Sequence, residues 1–359
     1  MHTMKDVARL AGVSIATVSA VVNNKGIVSA ELTERIKRAM EALDYHPDQV
    51  ARSLKVGRTN VIGIIVPDVT NPFFTELMRG VEDTAEQEGY SVMLCNSNED
   101  PAREERHLRM LSWRRADGVL VARSITDGPY DGRIRRRFPM VFVDCLPMGF
   151  VSHGAVVIDN VGAAYQATKH LIDLGHKRIA IIAGSLNRSV GFDRLEGYRK
   201  AMQQAQLLIP EEYLRHGDFH LESGYRCGLE LMRLAIPPTA VFSCNNRMTL
   251  GLMRALGELG IACPDHVSVV GFDDADWATI FSPKLTCIAQ PSYQMGQQAM
   301  EMLLQKVKSS PDNLSTREKP TTVLQAELIV RESTAPPPQK EYRNVRSDIQ
   351  DRASPLSLK

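Results

Sequence analysis

The 359-residue sequence predicts an α/β fold with a small all-α unit at its N-terminus. Apolar residues recur at helical spacing over residues 4–22. Runs of β-branched apolar residues alternate with amphipathic helical stretches from residue 61 onward, and this alternation restarts near residue 178. Such alternation is typical of parallel sheets with helices on both faces, and its restart predicts two doubly wound lobes.

The N-terminal pattern predicts two short helices joined by a tight turn. Gly12 supplies the turn, because a side chain there would crowd the backbone, and Ser14 is placed to cap a second helix that runs through Asn23. That helix buries Val18 and is small enough to enter the major groove of DNA. The spacing alone fits both a helix-turn-helix and an ordinary helical hairpin.

The following segment completes this unit. Ser29 is placed to cap a third helix, whose apolar stripe ends at Leu43. Pro47 ends the region, and residues 48–55 are predicted to form a helix too short to be stable in water by itself.

Strands and helices alternate along most of the two lobes. Strands are predicted at 61–66, 90–95, 118–121, 140–144, 178–184, 213–216, 239–244 and 267–273, and helices at 73–88, 101–115, 191–205, 223–234 and 246–259. After residue 332 the sequence is rich in proline and mixed charge, so we expect residues 334–359 to be disordered.

Composition and charge distribution indicate a globular protein with a basic N-terminal part. Hydrophobic residues make up 43% and charged residues 24% of the chain, as in ordinary globular proteins. The net charge is only +1, but residues 1–60 carry nine basic and six acidic side chains. A positive field at one end is suited to attracting phosphates.

The sequence predicts a cytoplasmic protein without a membrane span. The N-terminus lacks the long apolar region of a signal peptide, and no run of about 18 apolar residues occurs. The six cysteines form no CxxC pair, so we expect reduced thiols.

Catalytic and metal motifs are missing from the sequence. It contains no GxSxG, GxxxxGK[ST] or HExxH motif, so we expect neither an enzyme nor a cofactor. His216 and His220 are four residues apart, but Gly217 interrupts them and no third ligand is evident, which argues against a metal site.

Polar and aromatic residues follow the predicted strands. They occur at Asn71–Phe74, Asp159–Asn160, Asn187–Arg194, Phe219, Asn245–Asn246, Asp273–Asp274 and Gln290. Any one of them fits a helix cap or a turn equally well. Together they offer the amides, carboxylates, guanidinium groups and aromatic faces that bind sugar hydroxyls and ring faces.

The chain resembles the lactose-repressor (LacI/GalR) family in a series of motifs. They include DVARLAGVSIATVSAVVNN, ALDYHPDQVARSL, VIGIIVPDVTNPFF, LGHKRIAII, RLEGYRKAM and VSVVGFDD, in one order over roughly residues 3–333. The resemblance implies a helix-turn-helix headpiece at 1–47, a hinge helix and linker at 48–60, and a two-lobed core at 61–333 similar to periplasmic binding proteins. Lobe 1 would comprise about 61–160 and 291–318, and lobe 2 about 161–290 and 322–332.

The resemblance also implies which residues contact DNA. Ile15, Ala16 and Ala20 would face base edges, while the residues expected to hold phosphates or lie beside them are Ser14, Thr17, Ser19, Asn23 and Tyr45. In the hinge helix the expected contacts are Ala51, Leu54 and Lys55, with Leu54 wedged into a central minor-groove step.

A second set of residues would bind the effector between the lobes. The expected contacts are Phe73, Phe74, Asp159, Arg188, Arg194, Phe219, Asn245, Asp273 and Gln290. Asn246 stands where many members of the family have Asp, so the sequence does not single out one effector.

The resemblance therefore implies a ligand-responsive regulator, a repressor of carbohydrate-utilisation genes that binds a pseudo-palindromic operator. The tail lacks the leucine heptads with which the lactose repressor forms tetramers, so we expect a homodimer. The alternative is a two-lobed sugar-binding protein of transport, which the basic headpiece argues against.

Replacing Leu54 with alanine should weaken operator binding and reduce DNA bending, because the apolar wedge is lost. Effector affinity should stay unchanged. A bend angle equal to that of the unmodified protein, measured on circularly permuted DNA fragments, would remove Leu54 from this role.

Overall fold

A computed structural model describes residues 2–22, 28–45, 58–123, 138–146, 154–309 and 321–338. The chain divides into two compact units, Met1–Thr59 and Asn60–Lys359. The predicted hinge helix lies outside the described residues, as do four of the predicted DNA contacts, Asn23, Ala51, Leu54 and Lys55.

The first unit has the predicted helix-turn-helix. Its helices are α1 (Met4–Ala11), α2 (Ile15–Val22) and α3 (Ala30–Ala42). Gly12 ends α1 with a left-handed φ of 60°, a conformation that glycine adopts without strain. The Thr17 amide donates to Ser14 Oγ at 3.1 Å, so Ser14 caps α2 as expected. The buried core of this unit is Val7, Ala8, Ala11, Val18, Ile36 and Ala39.

The second unit alternates strands and helices. The helices are α4 (Pro72–Gln87), α5 (Pro101–Trp113), α6 (Asn160–Asp173), α7 (Ser189–Gln204), α8 (Leu221–Met232), α9 (Asn246–Leu259) and α10 (Ser292–Lys308). The strands are β1 (Val61–Val66), β2 (Ser91–Asn96), β3 (Gly118–Val121), β4 (Met140–Val143), β5 (Gly154–Ile158), β6 (Ile179–Ala183), β7 (Leu214–His216), β8 (Ala240–Ser243), β9 (Ser268–Phe272), β10 (Thr286–Ala289), β11 (Thr321–Leu324) and β12 (Glu327–Ile329). None of the described helices combines the length and apolarity that crossing a membrane requires.

The strands form two six-stranded sheets, one in each lobe. The order is β11-β5-β4-β3-β1-β2 in the first lobe and β12-β10-β9-β8-β6-β7 in the second. Every pairing is parallel except that of β12 with β10. The central strands are buried on both faces, which accounts for their continuous β-branched runs. The six cysteines are free, as predicted.

The last crossing between the lobes differs from the prediction. Strand β11 pairs with β5 in the first lobe, from Thr321–Ala155 to Leu324–Ile158, and β12 pairs with β10 in the second. The chain therefore crosses between Leu324 and Glu327, and the expected start of the last lobe 2 segment at 322 is wrong. In the sequence, residues 321–329 form one extended run. The run is divided only because its first part pairs with β5 and its last part with β10.

The predicted start of the disordered tail at 334 is also wrong. Thr334 Oγ1 lies 3.0 Å from His170 Nε2, and the Ala335 carbonyl lies 2.8 Å from His176 Nε2. Ser268 Oγ accepts from the Ala335 amide at 3.0 Å. Residues 334–338 thus belong to the second lobe, and the rest of the tail lies outside the described residues.

Helices α4 and α10 cover one face of the first sheet and approach backbone to backbone. A Cβ atom on Gly296 would lie 2.1 Å from the Leu77 carbonyl oxygen, and one on Gly80 would lie 2.1 Å from the Tyr293 carbonyl oxygen. Only glycine permits this contact between the two helices.

Substituting Gly296 with alanine should lower the free energy of unfolding by about 1–3 kcal/mol, because the helices must separate. The matched control is Gly257→Ala in α9, where no described atom lies within 4 Å of the added Cβ. That control should be neutral or stabilise the protein by about 0.5–1 kcal/mol. Equal effects of the two substitutions in chemical denaturation would contradict the close helix contact.

Candidate DNA interface and effector cleft

The outward face of α2 is apolar. Ile15 is 48% exposed and Ala16 is exposed, whereas Ala20 is half-buried. Thr17 and Ser19 are half-buried as well, and Thr17 Oγ1 lies 2.8 Å from Ser14 Oγ. This face therefore offers the methyl groups of alanine and the branched alkyl group of Ile15, where most base-reading helices offer side-chain donors.

Tyr45 lies beside the same small core. Its ring is half-buried against the apolar cluster of the first unit, and its amide donates to the Met40 carbonyl at 2.9 Å. Packing holds the ring in place, and the half-exposed part remains available for contact.

A cleft between the two lobes gathers eight of the nine predicted effector contacts. These are Phe73, Phe74, Arg188, Arg194, Phe219, Asn245, Asp273 and Gln290. They follow β1, β6, β7, β8, β9 and β10, at the carboxyl ends of the strands, where doubly wound sheets bind ligands.

Asp159 does not line this cleft. Its Oδ1 accepts from the Gly162 amide at 2.8 Å and caps α6, and the residue is otherwise exposed. The prediction for Asp159 is therefore not supported, because the carboxylate that follows β5 serves the helix it precedes.

The cleft also contains residues that the predicted set omitted. They are Asp68, Asn71, Glu99, Asp144, Val190 and His220, of which Asn71 and Val190 were recognised only as parts of strand-end segments. Asp144 comes directly after β4 and Glu99 shortly after β2. The strand-end rule that found the other contacts therefore applies to these two acids as well.

Arg188 joins the two lobes across this cleft. Its Nη1 donates to Glu99 Oε1 at 2.9 Å and its Nη2 to Asp144 Oδ2 at 3.1 Å, and both acids belong to the first lobe. The Arg188 Cζ atom lies 4.8 Å from the centroid of the Phe219 ring. We call this group of Arg188, Glu99 and Asp144 the interlobe clamp.

Burial governs the electrostatics of the clamp. It raises the pKa of the Asp144 and Glu99 carboxyl groups, and the Arg188 charge offsets part of this rise. Burial would lower the pKa of Arg188, but the two acids hold it above its ordinary value. The clamp is therefore stable only while its charges remain paired.

Arg194 supplies a second buried guanidinium. Its Nε donates to Asn160 Oδ1 at 2.8 Å and its Nη1 to the Cys244 carbonyl at 2.6 Å. Its Cζ atom lies 3.6 Å from the centroid of the Phe272 ring. These contacts fix the side chain before any ligand is bound.

Asp273 and Gln290 form a pair at the cleft wall. Gln290 Nε2 donates to Asp273 Oδ1 at 2.5 Å. Burial raises the pKa of Asp273, and the nearby Arg194 lowers it. The pair presents a carboxylate and an amide to the same space.

Some polar side-chain atoms at or beside the cleft are buried. Within the described part of the chain, Arg188 Nε, Asn246 Oδ1 and Gln290 Oε1 are buried without a hydrogen bond. Asn246 Nδ2 donates across the lobes to Asn71 Oδ1 at 2.8 Å. Unsatisfied buried donors and acceptors are costly, so a ligand that supplies hydrogen-bonding groups would be stabilised here.

The backbone at the cleft is unusual. Glu99, Asp144, Phe219 and Asp273 have φ values of 57°, 67°, 70° and 70°. Non-glycine residues adopt this left-handed conformation at a cost, and such residues cluster at functional sites. The strained turns aim these side chains into the cleft.

The lobes are closed over the cleft. The remaining cavity is about 20 Å³, room for one water-sized molecule. A sugar-sized ligand therefore requires the clamp to open.

Both units match known protein families. Residues 3–48 match the family of bacterial regulatory proteins, lacI family, and residues 168–334 match the periplasmic binding protein-like domain. The HTH-type transcriptional repressor PurR of Haemophilus influenzae (strain PittEE) is 39% identical over 339 residues, covering 93% of this chain and 98% of its own.

Two further relatives agree with this result. The ribose operon repressor of Escherichia coli (strain K12) is 40% identical over 311 residues, covering 86% of this chain and 93% of its own. The crystal structure of the lac repressor dimer bound to operator and the anti-inducer ONPF is similar, with a TM-score of 0.80, 28% identity and coverage of 93% and 99%. The chain therefore belongs to the lacI family of bacterial regulatory proteins and is a DNA-binding transcriptional regulator.

Proposed function

We propose that this repressor binds a pseudo-palindromic operator as a dimer and responds to a neutral sugar held between its lobes. The observation that carries the proposal is the charge balance of the cleft. Arg188 is neutralised by Glu99 and Asp144, and Arg194 lies close to Asp273. Among the described residues that line the cleft, neither arginine keeps an unpaired positive charge for a phosphate or a carboxylate, which favours an uncharged effector.

The cleft chemistry supports a sugar within that class. Directional hydrogen bonds from guanidinium, carboxylate and amide groups suit a ring of hydroxyls. The rings of Phe73 and Phe219 offer faces for the apolar side of a sugar ring. A relative at 40% identity is named for the ribose operon, so D-ribose is the first candidate.

The clamp supplies a route from effector to DNA. An effector that separates Arg188 from Glu99 and Asp144 changes the preferred distance between the lobes. An effector that binds one arrangement of the lobes more tightly than the other changes, by linkage, the affinity of the protein for its operator. A coupling free energy of about 1–3 kcal/mol is sufficient for regulation.

The transport alternative has no comparable support. The helix-turn-helix unit has no role in a transport receptor, and residues 3–48 match the regulator family. The lac repressor dimer bound to operator supports a dimeric assembly for this chain by its similarity over 93% of the chain.

Two measurements test the proposal. Calorimetry with D-ribose should show binding of one sugar per chain, and retention of specific genomic fragments in a gel-shift assay should change when D-ribose is added. Retention of DNA without any sugar effect would contradict the effector assignment, and failure to retain DNA would contradict the regulatory one.

Replacing Arg188 with alanine should lower stability by about 3–5 kcal/mol, because Glu99 and Asp144 are left buried without their counter-charge. Adding Glu99→Gln and Asp144→Asn should recover most of that loss. The matched control is Arg199→Ala, which breaks the exposed pair between Arg199 and Glu196 at 2.9 Å and should cost less than about 1 kcal/mol. Equal losses in urea denaturation would contradict the clamp.

Replacing Ala20 with arginine should create a guanine preference at one base pair of each half-site, worth about 1–3 kcal/mol. The unmodified protein should instead select thymine methyl groups and DNA shape, because Ile15, Ala16 and Ala20 lack donors and acceptors. Ala42→Arg, on an exposed part of α3, adds the same charge and should not alter base preference. Selection from a randomised half-site library compares them, and an unchanged preference in the Ala20 variant would refute the placement of α2.

A further inference from the structure

An outer chamber lies beside the closed cleft. It has a volume of about 800 Å³ and shares Phe73, Asp273 and Gln290 with the cleft as a common wall. Small-molecule sites in proteins have volumes of about 300–1,000 Å³. The chamber can therefore hold a ligand of its own while the lobes stay closed.

The chamber wall is acidic. Among the described residues that line it there is no lysine, arginine or histidine, and its four acids are Glu76, Asp273, Asp274 and Asp276. Arg79 donates to Glu76 at 2.8 Å, and Arg331 donates to both oxygens of Asp274 at 2.6 and 2.7 Å, but neither arginine lines the chamber. Asp276 is exposed. The charged groups that a ligand meets in the chamber are therefore carboxylates.

Two amide side chains add acceptors to this wall. Gln290 Nε2 donates to Asp273 Oδ1 at 2.5 Å, so only its Oε1 is left for a ligand. Asn71 Oδ1 accepts from the Phe73 amide at 2.9 Å and from Asn246 Nδ2 at 2.8 Å, which leaves Asn246 Oδ1. Both remaining oxygens are buried without a hydrogen bond to any described residue, and Asn246 is only 1% exposed. These oxygens require a ligand that donates.

Aromatic surface lies in the same chamber. Trp277 lines it from the second lobe and Tyr293 from the first, and the Trp277 ring meets Phe281 edge-on at 5.6 Å between centroids. Ile280, which also lines the chamber, is 82% exposed. Aromatic faces attract cations and pack against apolar groups.

We propose that the outer chamber is a second ligand site, which binds an organic cation with a primary ammonium group on an apolar body. An ammonium group only donates, so it complements the oxygens of Asn246 and Gln290 and the neighbouring carboxylates. The apolar body packs on Trp277. The site lies outside the cleft and does not depend on the sugar proposed for it. Because both lobes form its wall, its ligand favours the closed arrangement.

The chain provides its own reporter for this site. Its two tryptophans are Trp113 and Trp277. Trp113 is 75% exposed at the end of α5 and does not line the chamber. The full-length Trp113→Phe protein therefore has a single tryptophan, placed in the chamber wall.

The experiment titrates that protein at pH 7 and constant ionic strength with three matched probes. They are 2-phenylethylamine, its alcohol 2-phenylethanol, and its N,N,N-trimethylammonium derivative. The alcohol lacks the charge, and the trimethylammonium compound keeps the charge but has no N–H donor. The primary amine should shift the Trp277 emission and bind about tenfold more tightly than either of the others.

A charge variant locates the binding. Asp276→Asn, made in the same protein, should weaken binding of the amine about three- to tenfold and leave binding of the alcohol unchanged. The matched control is Asp173→Asn on α6, where the exposed carboxylate pairs with Lys169 at 2.6 Å and does not line the chamber. The control should keep the full affinity for the amine.

The other outcomes overturn the proposal. Equal affinity for the amine and the alcohol, or no change in Trp277 emission with any probe, excludes a cation site in the chamber. Equal affinity for the amine and the trimethylammonium compound excludes the hydrogen bonds to the amide oxygens. Equal losses in the Asp276 and Asp173 variants place the amine elsewhere. None of these results bears on binding of D-ribose or DNA, so the proposed function is tested separately.

Discussion

Arg188 carries a full charge into the interior of this protein, and the closed arrangement of the lobes depends on how that charge is paired. The guanidinium comes from the second lobe and both of its carboxylate partners, Glu99 and Asp144, come from the first. A buried charge without a partner costs several kcal/mol, so the lobes cannot separate by a small distance without rehydrating all three groups.

Smaller contacts cross the cleft in support of the clamp. The Leu146 amide donates to Ser189 Oγ at 3.2 Å, and Asn246 donates to Asn71 at 2.8 Å. Ser189 begins α7 and Asn246 begins α9, so each contact ties the start of a second-lobe helix to the first lobe. The contacts between the lobes therefore fall on rigid elements, at the first turns of two helices.

Hydrogen bonds within the second lobe fix its part of the cleft wall. Asn245 Oδ1 accepts from the Met248 amide at 2.8 Å and caps α9, while its Nδ2 donates to the Phe219 carbonyl at 2.9 Å. One side chain thus fixes both a helix start and the left-handed turn that presents the Phe219 ring. A helix cap and a place in the cleft wall are not competing roles at such a position, because the same strand-end geometry serves both.

The sequence by itself determined the order of the elements, the two sheets and the helix-turn-helix, because hydrophobic periodicity, caps and glycine turns are local signals. It also determined most of the cleft, since residues that follow parallel strands must meet at one edge of a sheet. Only the tertiary structure decided that Asp159 caps α6, that Thr321–Leu324 pairs with the first lobe, and that residues 334–338 dock on the second. It also decided that Glu99 and Asp144 meet Arg188. These outcomes depend on which partner lies opposite in space, and a carboxylate, an extended run or a short polar segment has the same local sequence whichever partner it finds.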